Sequence, residues 1–185
     1  MNVNRTAAAL LLSNSLVWSA ADGALAGDGA FRAGRVIEAY GKIAEIEGRD
    51  PIPQGAAFRI SFDVSQKADP GVVNRALDSG ARFLNMHDAA GVARDDMSLA
   101  FVIHGRAVYD VVGQERYAQA VGGDNATADL VAALIENGVE IYVCGQSAAY
   151  YDVKTSDLLP GVRMSLSAMT AHALLQQDGY TLNPF

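Results

Sequence analysis

Apolar and polar residues alternate from Phe58 to Ser65, which is the period of a strand with one buried face. A second segment, Leu99–Ile103, is apolar throughout and ends at His104-Gly105. A continuous apolar run of this length is typical of a strand covered on both faces of a parallel sheet. We therefore predict a first strand at 58–64 and a central strand at 99–103.

Apolar residues at helical spacing separate these strands from each other and from later ones. Asp69-Pro70 supplies an N-cap and a first-turn proline for a helix that runs to Gly91. Strands that alternate with helical patterns predict an α/β fold, a three-layer α/β/α sandwich around a mainly parallel sheet. The remaining predicted elements are a weak helix at 107–120, a helix at 130–135 that ends at Asn137-Gly138, a strand at 139–143, a strand at 162–166 and a helix at 169–177.

The first 26 residues have the organisation of a secretory signal peptide. Met1–Arg5 carries one positive charge, Thr6–Ala20 is mostly apolar, and Ala24-Leu25-Ala26 offers small residues for cleavage. The apolar part is short and is interrupted by polar residues, so it does not predict a membrane span, and a retained anchor is the alternative. We expect cleavage near Ala26 and a periplasmic or secreted protein with no stable membrane insertion afterwards.

Glycine and proline interrupt residues 27–57 so often that no long helix or strand fits there. The segment nevertheless contains more apolar residues than a free linker would. We predict an extended N-terminal arm at 27–57 that lies over the domain at 58–185 or over a neighbouring subunit. A partly disordered tail is the alternative.

The charge and the cysteine count exclude several functions. With 14 basic and 21 acidic residues the net charge is −7, which disfavours nucleic acid and anionic membranes as partners. The chain has no lysine-containing phosphate loop, no nucleophile elbow and no zinc-motif spacing, so we predict no cofactor and no metal. A single cysteine excludes an internal disulfide. In an oxidising compartment this unpaired thiol needs an explanation.

The cysteine and one histidine occupy the positions where parallel sheets place ligands. Cys144 and His104 each follow a predicted strand, and neighbouring strands would bring them to one edge of the sheet. Backbone N–H groups of the following turn, helped by His104, would then favour the thiolate. A buried, inert cysteine and a structural histidine are the competing interpretations. A shared copper or zinc site on these two residues is a minor alternative, because two ligands are too few.

Four segments are similar to the DsrE/DsrF-like family, and the resemblance covers about 58–185. They are Phe101–Gly105, Gly138–Ser147, Leu166–Met169 and Gln177–Tyr180. The arm resembles one found in exported, largely uncharacterised members. The resemblance implies a three-layer domain that assembles as a homotrimer or a hexamer. In sulfur-relay members, the cysteine at the position of Cys144 accepts sulfane sulfur as a persulfide and passes it to a partner protein.

The resemblance therefore makes Cys144 the candidate catalytic residue. His104, Gln146, Ser147 and Tyr109 are the candidate substrate-binding neighbours. Because the best-known relay proteins are cytoplasmic, their role does not transfer unchanged to a chain with a leader. We expect an exported sulfur carrier with a sulfur donor or acceptor protein as its partner, and enzymatic turnover is left open. The alternatives are a non-catalytic oligomeric module that binds a small molecule or a protein, and a structural subunit of a larger assembly.

Overall fold

The core of the protein is a parallel sheet of five strands in the order β4-β3-β2-β1-β5. The computed structural model describes residues 27–183, so the predicted signal peptide lies outside the described residues. The predicted first strand and central strand are both confirmed, since β2 lies in the middle of the sheet and pairs with β1 and β3. The strands are β1 (Phe58–Val64), β2 (Met97–Ile103), β3 (Glu140–Cys144), β4 (Arg163–Ser165) and β5 (Thr181–Asn183).

Helices cover both faces of this sheet, which confirms the predicted three-layer α/β/α arrangement. The helices are α1 (Arg75–Ala89), α2 (Gln114–Ala120), α3 (Ala128–Glu136), α4 (Gly145–Tyr150) and α5 (Ala168–Gln177). α1 packs on β1, β2 and α3 in one layer, whereas α5 packs on β2 and β3 in the other. Within residues 27–183, no helix is both long enough and apolar enough to cross a membrane.

Alternate residues of β2 enter the two cores, because successive side chains of a strand point to opposite faces. Phe101 enters the larger core, where its ring stacks on that of Phe62 with the centroids 4.9 Å apart. Val102 belongs to the smaller core with Leu175 of α5. Gly80 of α1 allows a close approach to the sheet, since a Cβ atom there would lie 2.4 Å from the Phe101 ring. These contacts bury apolar area on both faces of β2, which is the main stabilising contribution to the fold.

The sequence placed the start of one helix wrongly and missed one strand. α1 does not begin at Asp69-Pro70, because Gly71 adopts the left-handed conformation with φ of +74°. Asn74 is the N-cap instead, and its Oδ1 accepts hydrogen bonds from the backbone N–H groups of the first turn of α1. β5 was not predicted, because two of its three residues are exposed and show no alternation.

The segment before β1 lies against α1 and is held there by one buried side chain, that of Asn85. Its Oδ1 accepts hydrogen bonds from two backbone N–H groups of the segment, and its Nδ2 donates to three carbonyl groups. The partners are Val36 N at 3.1 Å, Ile37 N at 3.0 Å, Ile37 O at 3.0 Å, Tyr40 O at 2.9 Å and Gly41 O at 3.1 Å. This segment therefore lies over the domain, and its description as a separate arm with a boundary at 57 and 58 stays a prediction.

Another buried polar group, Asp110, connects the loop after β1 to α1. The side chain is 1% exposed, and its Oδ2 accepts from Ala68 N at 2.8 Å and from Asn74 Nδ2 at 2.6 Å. Its Oδ1 is buried and has no hydrogen-bond partner among residues 27–183. Burial raises the pKa of Asp110 by more than these hydrogen bonds lower it.

Replacing Asn85 with alanine should release the segment at 34–43 from α1. Each backbone group left buried without a partner costs about 1 to 3 kcal/mol, so we expect the free energy of unfolding to fall by about 3 kcal/mol or more. Hydrogen exchange should accelerate at 34–43 before it does so in the sheet. Asn137→Ala is the control, since it removes one side-chain bond at the end of α3. Unchanged exchange at 34–43 would contradict this account.

Asp110 should make the protein less stable as the pH rises from about 4, the value near which an unfolded aspartate ionises. Because its folded pKa is raised, the folded state holds the proton more tightly, and this stabilisation disappears as the pH passes through the folded pKa. Asp110→Asn should remove that part of the pH dependence. Denaturant titrations from pH 4 to 8 measure it, with the exposed Asp50→Asn as the control. Parallel curves for wild type and Asp110→Asn would refute the assignment.

Candidate functional site

The carboxyl ends of β1, β2 and β3 lie at one edge of the sheet and bring three polar side chains there. Asp63 is near the end of β1, His104 follows β2 and Cys144 ends β3. β2 and β3 are parallel neighbours in a register that pairs Ile103 with Val143. The prediction that His104 and Cys144 share an edge is therefore confirmed.

Cys144 is the N-cap residue of α4 and also the last residue of β3, where it pairs with Ser165 of β4. It is 6% exposed. Gly145, the next residue, is in close contact with the chain that leaves β4. A Cβ atom on Gly145 would lie 2.6 Å from Ser165 O and 3.1 Å from Leu166 O. Only glycine therefore allows the chain after β4 to approach the cysteine this closely.

The surroundings of the sulfur favour the thiolate. Burial raises the pKa of Cys144, but the Ser147 hydroxyl and the backbone N–H groups of Ser147, Ala168 and Gln146 lower it by hydrogen bonding to the charged form. The combined hydrogen bonds outweigh burial, and the pKa lies below that of an ordinary cysteine. These groups belong to the first turns of α4 and α5, so two separate parts of the chain lower the pKa of the thiol.

The Ser147 hydroxyl is oriented by the end of the neighbouring strand. The backbone N–H of Gly105 donates to Ser147 Oγ at 3.0 Å. Since this bond occupies a lone pair of the oxygen, the hydroxyl proton is available for the sulfur. Gly105 has φ of +53°, a conformation that favours glycine, and this turn directs its N–H towards α4. The His104-Gly105 dipeptide thus contributes to the site through the glycine.

The His104 imidazole binds a carboxylate at this edge. Its Nε2 lies 2.9 Å from Asp63 Oδ2, and Nε2 of His172 lies 2.7 Å from Asp63 Oδ1. Burial raises the pKa of Asp63. The hydrogen bonds and positive charges of the two histidines lower it by a larger amount, so the net shift is downward. Nδ1 of His172 is buried and has no partner among residues 27–183. The groups that shift the pKa of the thiol are Ser147, Ala168 and Gln146, and His104 is not one of them.

The two remaining predicted site residues, Gln146 and Tyr109, lie at different places. Gln146 is exposed beside the cysteine, and its Nε2 donates to Leu166 O at 3.2 Å. Tyr109 lies at the other end of α4, where its hydroxyl donates to Tyr151 O at 3.2 Å. The two rings pack edge to face with their centroids 5.5 Å apart. Tyr109 therefore supports the end of α4 and is not one of the donors to the sulfur.

Sequence reasoning missed three contributors to this edge. Asp63 is one of the polar positions in the alternating pattern of the first strand. Its position near the end of that strand was the only signal in the sequence for a role at this edge. His172 lies inside a helical pattern, and nothing local indicates that it reaches β1. Ala168 contributes a backbone N–H, which no side-chain motif can reveal.

Cavities and metal-binding groups add little at the cysteine. A cavity of about 640 Å³ lies at the end of β1, lined by residues from Asp63 to Ser79, and Cys144 does not line it. Among residues 27–183, no group of three or more histidine, cysteine, aspartate or glutamate side chains is arranged to hold a metal ion. For His172, metal binding through Nε2 would also place a proton on the buried, unpartnered Nδ1.

Solved structures resemble this chain, and two of them come from Methanobacterium thermoautotrophicum and E. coli. The protein MTH1491 of Methanobacterium thermoautotrophicum, described as a protein of unknown function, is 16% identical, with a TM-score of 0.45 over 69% of this chain and 99% of its own. The ychN protein of E. coli is 13% identical, with a TM-score of 0.45 over 69% of this chain and 100% of its own. No curated protein matches the chain by sequence.

The sequence also matches a family model, described as the DsrE/DsrF-like family, over residues 70–184. The match covers more than half of the chain and includes α1, the turn after β2, Cys144 and α5. The family is generally linked to sulfur relay. On this match, the chain belongs to the DsrE/DsrF-like family.

Proposed function

We propose that this protein is an exported sulfur carrier that holds sulfane sulfur as a persulfide on Cys144 and passes it to a partner protein. The observation that carries the proposal is the position of Cys144 at the N-terminus of α4, where the Ser147 hydroxyl and nearby backbone N–H groups lower the pKa of its thiol. Such donors stabilise a sulfur anion, and the thiolate is the nucleophilic form of cysteine. An inert cysteine in an apolar core would have a raised pKa instead.

The transfer consists of two displacements at sulfur. With thiosulfate as donor, the Cys144 thiolate attacks the sulfane sulfur, the sulfur–sulfur bond of thiosulfate breaks, and sulfite leaves with the electron pair. The product is the anionic persulfide of Cys144. In the second step an acceptor thiolate attacks the terminal sulfur, and the Cys144 thiolate leaves. Neither step needs an oxidant or a reductant, and a thiol with a lowered pKa is the better leaving group.

Burial of the cysteine suits a carrier outside the cytoplasm. An exposed thiolate there would be oxidised stepwise to sulfenic and sulfinic acids. With 6% exposure, the Cys144 side chain offers little surface to a large oxidant such as a thiol oxidase. The proposed location, periplasmic or secreted, rests on the signal-peptide pattern at 1–26, which lies outside the described residues.

We also propose that the carrier is a homo-oligomer, a trimer or a hexamer. Support comes from apolar side chains left exposed on and next to α5, those of Leu166, Met169 and Leu174. Leu166 and Met169 lie close in sequence, and neighbouring exposed apolar side chains are typical of surfaces that another protein covers. The acidic net charge of −7 supports a partner other than nucleic acid.

A second candidate function is a non-catalytic module that binds a small molecule. The cavity of about 640 Å³ between the end of β1 and the start of α1 favours it, because ligands of parallel sheets collect at this edge. In such a module Cys144 would contribute to packing alone. Sulfur uptake by the cysteine distinguishes the two functions.

Exposure of the purified protein to thiosulfate or polysulfide should add one sulfur atom to Cys144. Intact-protein mass spectrometry should then detect a gain of about 32 Da that dithiothreitol removes, as expected for thiol–disulfide chemistry. Cys144→Ser is the control, since it keeps the size of the side chain and removes the chain's single thiol. A wild-type protein without this gain, whose Cys144 also resists iodoacetamide, would favour the binding module.

Ser147→Ala should raise the pKa of the Cys144 thiol, because the hydroxyl is the first of the groups that lower it. A hydrogen bond to a charged group contributes about 1.5 kcal/mol, so the thiolate fraction near neutral pH should fall about tenfold. The alkylation rate should fall by less, since a more basic thiolate is more nucleophilic.

The pH dependence of iodoacetamide alkylation measures this effect. Ser147→Thr, which keeps a hydroxyl, should restore most of the rate. The exposed Ser156→Ala is the matched control. Equal alkylation midpoints in wild type and Ser147→Ala would show that the hydroxyl does not act on the sulfur.

A further inference from the structure

The chain that leaves β4 passes directly beside Cys144 before α5 begins. Ser165, the last residue of β4, pairs with Cys144, and α5 starts three residues later at Ala168. Leu166 and Ser167 connect the two elements. We call the segment Ser165–Ala168 the covering loop. Its contact with Gly145, where a Cβ atom would collide with Ser165 O at 2.6 Å, places the loop against the start of α4.

The covering loop holds two kinds of residues with opposite environments. Ser167 is buried, and its Oγ accepts from Thr170 N at 3.0 Å as the N-cap of α5. Leu166, in contrast, is 72% exposed, and Met169 just after the loop is 79% exposed. Within one protomer, apolar side chains with this exposure do not anchor the loop through packing. The loop is therefore fixed at Ser167 and at Ser165, which pairs with Cys144 and whose Oγ donates to Ser167 O at 3.1 Å. Leu166, between these two residues, is held by another contact.

That contact is the side-chain amide of Gln146. Its Nε2 donates to Leu166 O at 3.2 Å across 20 residues of sequence, from the first turn of α4 to the loop. Gln146 follows Gly145, so the side chain and the glycine contact hold the same part of the loop from two sides. The amide of Gln146 is thus placed to keep the loop close to the cysteine.

We propose that Gln146 is a positioning residue that holds the covering loop closed over Cys144. The closed loop keeps the Ala168 N–H beside the sulfur and limits entry to small sulfur donors. Loss of the Gln146 contact opens the loop, removes one donor from the thiolate and admits larger reagents. This inference deepens the proposed function and rests on it, because it assigns the control of access to the same sulfur.

The test uses Gln146→Met in the full chain, a neutral side chain of similar length that cannot donate. The matched control is Gln177→Met, at an exposed position in the last turn of α5. Because Gln146 is exposed, the variant is expected to fold, and circular dichroism with thermal unfolding checks this. Rates of alkylation by iodoacetamide and by a bulky maleimide are measured from pH 5 to 10.

We expect the midpoint of the pH profile to move upward in Gln146→Met, because the Ala168 N–H no longer stabilises the thiolate. At the high-pH plateau, the rate with the bulky maleimide should rise about two- to fivefold, the range expected for loss of one partly exposed hydrogen bond. Gln177→Met should match wild type in both respects. An unmoved midpoint or an unchanged plateau in Gln146→Met overturns the proposal.

A second variant and a second measurement complete the design. Gln146→Glu keeps the size and replaces the donor by an acceptor, so its midpoint should move at least as far as in Gln146→Met. Amide hydrogen exchange should accelerate at Ala168 in both variants but not at Ala171, whose N–H is bonded to Ser167 O at 3.0 Å. None of these readouts requires sulfur uptake. A failure of the proposed role of Gln146 is therefore distinguished from a failure of the sulfur-carrier function, since sulfur uptake is measured on wild type with thiosulfate.

Discussion

The parallel pairing of β2 with both of its neighbours is the constraint on which the rest of the structure depends. Most of β2 is buried on both faces, so water cannot satisfy its backbone N–H and C=O groups. Pairing with β1 and β3 satisfies them and fixes the register on both sides. Because all three strands run in the same direction, their carboxyl ends meet at one edge. The positions of Asp63, His104 and Cys144 follow from this pairing.

The edge owes its chemistry mainly to backbone groups. A turn at Gly105 directs an N–H to Ser147, and backbone N–H groups at the starts of α4 and α5 lower the pKa of Cys144. Such groups are placed by the fold and carry no net charge, so they stabilise an anion without a neighbouring cation. Together with the Ser147 hydroxyl, these groups lower the pKa of the Cys144 thiol by more than burial raises it. A thiol that is both buried and acidic fits a carrier that must protect its sulfur between donor and acceptor.

The two histidines at this edge form a separate unit with a structural role in the described contacts. Asp63 lies between His104 and His172 and so joins β1, the turn after β2 and α5. This unit fixes α5 relative to the sheet, and α5 begins with Ala168, the residue whose N–H acts on the sulfur. Its effect on the cysteine is thus indirect. The covering loop between β4 and α5 is held at one end by this helix and at the other by Gly145.

The sequence by itself determined the α/β class, the first and central strands and the placement of His104 and Cys144 at strand ends, because burial periodicity is a local property and helices between strands indicate a parallel sheet. It also indicated the family through the residues around Cys144. Only the tertiary structure decided the start of α1, where Gly71 breaks the predicted helix, and the existence of the short strand β5. It alone decided which groups act on the sulfur, since the Ala168 N–H and the Gly105 N–H that orients Ser147 are both distant in sequence from Cys144. Periodicity records which residues are buried, whereas the convergence of N–H groups on one atom depends on how separate turns pack together.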